Sequence, residues 1–121
     1  MHSAEFFQQL VEEELARFVK TLPREPSGLY DPIRYMLALG GKRIRPVLTL
    51  LSCEMFDGDY QKALSPAIGL EVFHNFTLLH DDIMDKAPLR RAMPTVHKKW
   101  NSDVAILSGD AMFVKACSLM T

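Results

Sequence analysis

The stretch from Glu71 to Asp85 constrains this chain more than any other, because an apolar run there closes on three carboxylates, Asp81, Asp82 and Asp85. On an α-helix Asp81 and Asp85 are i,i+4 neighbours, and Asp82 and Asp85 are i,i+3 neighbours. At about 100° per residue the three fall within one arc of roughly 100°, and His74 lies two turns earlier on nearly the same line. Like charges this close repel, and acids at a helix C-terminus also oppose its macrodipole. The arrangement becomes favourable when a divalent cation sits among the oxygens. Hard oxygen ligands, with no Cys/His spacing for zinc, point to Mg²⁺. The competing reading is a solvated helix end. His80 stands beside Asp81, but adjacent helical residues point about 100° apart, so it reads as structural.

Charge is distributed in a way that bears on this site. The 121 residues carry a net charge of −1, which gives no global field suited to nucleic acid or a membrane surface. Locally, Lys86 to Lys99 holds five basic residues and no acids, and Pro32 to Cys53 holds four and no acids. Two basic blocks therefore flank the carboxylates, an arrangement suited to a small polyanion bridged by metal. Hydrophobic content of 48% is that of a globular chain. Cys53 and Cys117 are isolated and read as reduced thiols. The acidic N-terminus does not resemble a signal peptide, and Asp110 and Lys115 interrupt the stretch from Val104 to Met120, so no membrane span is expected. A cytoplasmic location follows from these features as an expectation.

The periodicity is helical throughout. Ser3 can cap a first helix carrying Phe6, Phe7, Leu10, Val11, Leu15, Phe18 and Val19 at helical spacings. The prolines and glycine between Leu22 and Gly28 read as a loop. Asp31-Pro32 predicts a second helix start, ended by Gly40-Gly41. Pro46 can open a third helix, Asp57 to Asp59 forms a turn, and Ser65-Pro66 repeats the start signal for the helix bearing the carboxylates. Pro88 ends that helix. Arg90 to His97 reads as irregular, with a short helical turn toward Trp100, and Asn101 or Ser102 caps a last helix. No stretch alternates as a surface strand does, so the expected fold is all-α. The last helix shows no stop signal before Thr121, which reads as the front part of a larger helical domain.

Two further motifs carry anion chemistry. The run from Gly40 to Pro46 places three basic residues beside a glycine pair, which makes either a helix C-cap or an anion cradle. Its spacing is not that of the phosphate loop of nucleotide-binding proteins. Arg90-Arg91 follows the carboxylates closely, and a planar guanidinium matches diphosphate oxygens bidentately. Each motif alone also has a bland reading as solvated turn. Met36, Phe73, Phe76, Met112 and Phe113 read as core.

Together these residues resemble the trans-isoprenyl diphosphate synthases, or polyprenyl synthetases. The matching motifs are Gly40 to Pro46, the carboxylates Asp81 to Asp85 with His74 upstream, Arg90-Arg91 with Pro94 to His97, and Gly109-Asp110. The resemblance implies the N-terminal portion of the isoprenoid synthase helical bundle over residues 1–121, with the family's second aspartate-rich motif absent. It further implies a prenyltransferase that joins isopentenyl diphosphate to an allylic diphosphate in isoprenoid biosynthesis. In that reading Asp81, Asp82 and Asp85 bind Mg²⁺, and Lys42, Arg45, His74 and Arg91 hold isopentenyl diphosphate. Arg90 reaches the allylic diphosphate, and the protein forms a homodimer. Phe76, five residues before Asp81, resembles the geranylgeranyl-type enzymes.

The family usually has glycine where Ala92 stands, and alanine would be strained there if φ is positive. With half of a metal clamp, the chain alone is expected to have little or no synthase activity. A non-catalytic chain that binds diphosphate or a partner is the rival reading. A metal-dependent diphosphate hydrolase is the third.

Overall fold

A computed structural model describes residues 1–121. The chain forms six helices and one minimal hairpin, so the all-α expectation holds apart from that hairpin. The helices are α1 (Ala4–Thr21), α2 (Ser27–Ala38), α3 (Ile44–Met55), α4 (Tyr60–Met84), α5 (Val96–Lys99) and α6 (Ser102–Met120). Strands β1 (Leu89–Arg90) and β2 (Met93–Pro94) lie between α4 and α5.

Helix α4 is the axis of the fold. It touches α1, α2, α3, α5 and α6. Its buried residues, Ala67, Ile68, Gly69, Glu71, Val72, Asn75, Leu79 and Asp82, lie on several faces. A helix surrounded on all sides needs no single apolar stripe. Leu50 of α3, Val72 of α4, Ile33 of α2 and Met112 of α6 are fully buried around it. Helix α1 begins where expected, with the Ser3 hydroxyl accepting from the Phe6 N–H at 3.1 Å. It buries Phe7, Val11, Leu15 and Phe18 at intervals that keep one face inward. At the α4–α6 contact, Gly109 lets the ring of His80 lie against the helix, since a Cβ there would stand 2.4 Å from Nε2. His80 is thus a packing residue, and its ring also meets Phe76 edge-on at 4.7 Å. No helix is long and apolar enough to cross a membrane.

Two helix starts depart from the sequence expectation for a shared reason. Helix α2 begins at Ser27, ahead of Asp31-Pro32, and its first turn hangs on the Pro26 carbonyl, which accepts from Leu29 and Tyr30. Asp31 pairs with Arg34 at 2.8 Å instead of capping. Helix α4 begins at Tyr60, where the Asp59 carboxylate accepts from the Gln61 N–H at 3.0 Å. Ser65 donates its hydroxyl to the Leu119 carbonyl of α6 at 2.7 Å, a tertiary link that takes the place of a cap. Pro66 and Pro32 therefore sit inside helices.

The segment expected to be irregular forms an antiparallel hairpin, Leu89 opposite Pro94 and Arg90 opposite Met93. Its two loop residues, Arg91 and Ala92, have φ of 52° and 64°. Positive φ at both central positions is the requirement of a type I′ turn, normally met by Asn-Gly. The hairpin is fastened from outside. The Tyr35 hydroxyl of α2 donates to the Pro94 carbonyl at 2.6 Å, and the Thr95 hydroxyl donates to the Ala87 carbonyl at 2.7 Å.

Ala92 consequently occupies a conformation that costs an L-residue roughly 1–2 kcal/mol, against roughly 0.5–1 kcal/mol for the extra chain entropy of glycine. Ala92→Gly is expected to raise stability by about 0.5–1 kcal/mol. Urea unfolding midpoints measure this, and a midpoint at or below that of the unaltered chain refutes the strain at this turn.

Candidate functional site

The loop from Gly40 to Arg43 turns into positive φ three times, at Gly40 (83°), Gly41 (154°) and Arg43 (54°). The result sorts the basic residues of this run. Lys42 and Arg45 are exposed, whereas Arg43 points inward and is 4% exposed. Arg43 Nε donates to Glu12 Oε1 of α1 and its Nη1 to Glu71 Oε2 of α4, both at 2.8 Å. Its Nη2 donates to the Leu37 carbonyl at 2.9 Å. Burial works against its charge, but the bonds to Glu71 and Glu12 outweigh it and raise the guanidinium pKa above its ordinary value. Sequence reasoning counted Arg43 among the three basic residues of the anion cradle and passed over Glu71 as its partner. The available signal was an acid inside the apolar run Ile68 to Val72, since a buried carboxylate needs a cation.

Beside this pair lies a cavity of about 360 Å³ lined by Gly41, Lys42, Arg43, Ile44, Arg45, Glu71, His74, Asn75, Leu78 and Arg91. It gathers Lys42, Arg45, His74 and Arg91, all four residues expected to share one ligand. Lys42, Arg45 and Arg91 form no ion pair anywhere in the protein. Arg91 crosses the loop at Gly41, where a Cβ would stand 2.8 Å from Nη1. A side chain at position 41 would require this guanidinium to shift. His74 Nε2 lies 3.2 Å from Arg45 Nη1. Burial first, then the positive charges of Arg45, Arg90 and Arg91, lower the His74 pKa, with Glu71 opposing them. His74 is therefore neutral near pH 7, and Nε2 accepts from Arg45.

The carboxylates at the end of α4 divide into two kinds. Asp82 is 5% exposed, and both its oxygens accept from Arg90, from Nε to Oδ2 and from Nη2 to Oδ1, each at 2.8 Å. That bidentate pair, followed by some opposing burial, raises the Arg90 pKa. Arg90 thus takes two of the Asp82 lone-pair sites, and any share of Asp82 in a metal set would use the others. Asp81 and Asp85 are exposed, and Asp85 is the C-cap of α4. No three His, Cys, Asp or Glu side chains converge closely enough to share an ion. This donor set does not fit an all-protein metal cage. It does fit Mg²⁺, which is ordinarily held by one or two carboxylates plus substrate phosphates.

Two measurements check this geometry. His74 is expected to titrate below its ordinary value of 6.5 in an NMR pH series, and a midpoint at or above 6.5 contradicts the Arg45 contact. By linkage, the unfolded chain binds this proton more readily than the folded one, so the contribution of His74 to stability is complete above 6.5 and fades as pH falls below it. In denaturant unfolding, Asp82→Ala is expected to cost about 1.5–3 kcal/mol, while Asp81→Ala and Asp85→Ala stay within about 0.5 kcal/mol of the unaltered chain. Equal costs for the three would dissolve the division between them.

The polyprenyl synthetase family model matches residues 26–121. A geranylgeranyl pyrophosphate synthase of Geoglobus acetivorans is 46% identical over 113 residues, which are 93% of this chain and 35% of the relative. A geranylgeranyl diphosphate synthase of Methanosarcina mazei is 44% identical over 96 residues, covering 79% of this chain and 30% of the relative. A crystal structure of a geranylgeranyl pyrophosphate synthase superposes with a TM-score of 0.93 at 53% identity, over 98% of this chain and 36% of that one. The chain thus spans about a third of the length of the curated relatives it matches. With the family model covering most of its length, and the fold and cationic cavity agreeing, this chain belongs to the polyprenyl synthetase family.

Proposed function

We propose that this chain supplies the isopentenyl diphosphate pocket and the first carboxylate set of a Mg²⁺-dependent prenyltransferase. The observation that carries the reading is the cavity in which Lys42, Arg45 and Arg91 stand without counter-ions beside a neutral His74. Three fixed cations repel one another, and a diphosphate relieves that repulsion while its oxygens take their N–H donors. His74 keeps Arg45 turned into the cavity by accepting from Nη1. Asp82 fixes Arg90, whose three remaining N–H groups would reach the allylic diphosphate. Asp81 and Asp85 would hold the metal jointly with that diphosphate.

In the condensation, the allylic C–O bond breaks and its electron pair leaves with the diphosphate. The isopentenyl double bond attacks the allylic carbon, and the proton lost from the adjacent isopentenyl carbon passes to the released diphosphate. Magnesium, when bound, offsets the negative charge that builds on the departing diphosphate. The arginines contribute the same kind of stabilisation from fixed positions. No protein nucleophile is required.

Two exposed carboxylates are a partial metal clamp, so the 121-residue chain alone is proposed to bind isopentenyl diphosphate without turning it over. A non-catalytic binding chain is the second reading, because the cavity residues support anion binding without bearing on turnover. Self-association belongs to the proposal as well, supported by exposed Leu107 and Val114 on α6. A cytoplasmic location is supported by the two free cysteines, Cys53 and Cys117.

Calorimetry with isopentenyl diphosphate is expected to show binding that Lys42→Ala and Arg45→Ala each weaken on the order of tenfold. Labelled isopentenyl diphosphate and dimethylallyl diphosphate are expected to give no prenyl product with this chain alone. Product should appear once the remaining two-thirds of a polyprenyl synthetase is added as a separate polypeptide. Absence of binding overturns the pocket, turnover by the chain alone overturns the partial clamp, and binding that never leads to product favours the second reading.

A further inference from the structure

Arg43 and Glu71 line the cationic cavity, yet each is only 4% exposed and bonds chiefly within the protein. Each of the three guanidinium nitrogens of Arg43 donates within the protein, to Glu12, Glu71 and the Leu37 carbonyl. Glu71 Oε2 also accepts from Asn75 Nδ2 at 3.2 Å, and the same amide donates to the Glu71 carbonyl at 2.9 Å. We infer that Arg43 and Glu71 are positioning residues for the anion pocket. Their buried ion pair, tied to α1 through Glu12, fixes where Lys42, Arg45 and His74 stand. The inference rests on the reading of that cavity as a diphosphate site.

The argument is one of register. Arg43 is the N-cap of α3, with left-handed backbone, so anchoring its side chain sets the direction of Lys42 before it and of Arg45 on the first turn after it. Glu71 is one turn before His74 on α4, so anchoring its carboxylate sets the height of the imidazole. The Arg43–Glu71 pair and the Arg45–His74 contact are thus two parallel rungs between the same elements, one buried and one facing the cavity. The buried rung holds the exposed one in place. Stability alone does not require an ion pair here, because apolar side chains of similar size often replace such a pair without loss. Glu12 completes the anchor from α1 with a carboxylate that is half exposed.

The test separates position from charge. The double variant Arg43→Met/Glu71→Leu removes one charge of each sign, so net charge is unchanged and electrostatics alone predicts unchanged anion binding. The probe is inorganic pyrophosphate, measured by calorimetry, with the His74 imidazole resonances as a second readout and circular dichroism as the check on folding. The expected result is a folded double variant whose Kd for pyrophosphate rises on the order of tenfold. Its His74 resonances should no longer move with pyrophosphate as they do in the unaltered chain. Unchanged affinity in the folded double variant overturns the inference. Should the double variant not fold, Arg43→Lys decides the matter: it keeps the charge but cannot make all three contacts, and severalfold weaker binding supports positioning whereas equal binding overturns it. If the unaltered chain itself binds no pyrophosphate, the diphosphate reading fails first, and the inference falls with it.

Discussion

The structure depends on how five basic residues divide into two that are paired and three that are free. Arg43 is buried against Glu71 and Glu12, and Arg90 is closed bidentately on Asp82. Each pairing removes a cation from a crowded region and ties two elements together. Arg43 links the glycine loop to α1 and α4, and Arg90 links the hairpin to the end of α4. What remains is a trio, Lys42, Arg45 and Arg91, with no counter-ion in the protein. Exposure to water makes that trio tolerable in the absence of a ligand, since repulsion between exposed charges is weak at high dielectric. The same exposure makes it available to an anion.

Helix α4 converts this electrostatic sorting into a spacing. His74 and Asp81 are seven residues apart on one continuous helix, a separation of about 10.5 Å along the axis. The anion pocket and the open carboxylates are therefore held at a fixed distance by backbone hydrogen bonds rather than by loops. The hairpin spans the gap from the side. Arg90 on its strand turns to the carboxylate end, while Arg91 in its turn reaches back to the glycine loop. Neighbouring side chains can serve the two ends because the left-handed turn reverses the chain between them. Ala92 bears the conformational cost of that reversal.

Much of this was legible beforehand. The helices show in their apolar periodicity, and caps such as Ser3 lie where the sequence puts them, because capping is a local contest between one side chain and a few N–H groups. Ser65 and Asp31 carry the same local signature, yet each side chain found a stronger use, on Leu119 of α6 and on Arg34. The helix starts moved accordingly. The hairpin left no trace in the sequence, having neither alternation nor a glycine in its turn. It exists because Tyr35 and Thr95 hold its ends. Among the site residues, the clustering of Lys42, Arg45, His74 and Arg91 was implied by the family resemblance, whereas the pairing of Asp82 with Arg90 was not, since i,i+3 spacing says nothing about a partner on another element.

The sequence by itself determined the helical class, the family, and the residue types from which an anion and metal site is built, because periodicity, caps and charged motifs are properties of short stretches. Tertiary structure alone decided which charges are free. Lys42 and Arg43 are adjacent, as are Asp81 and Asp82, and local rules treat the members of each pair alike. Burial separates them: desolvation is tolerable for Arg43 and Asp82 only because Glu71 and Arg90 arrive from other elements of the fold.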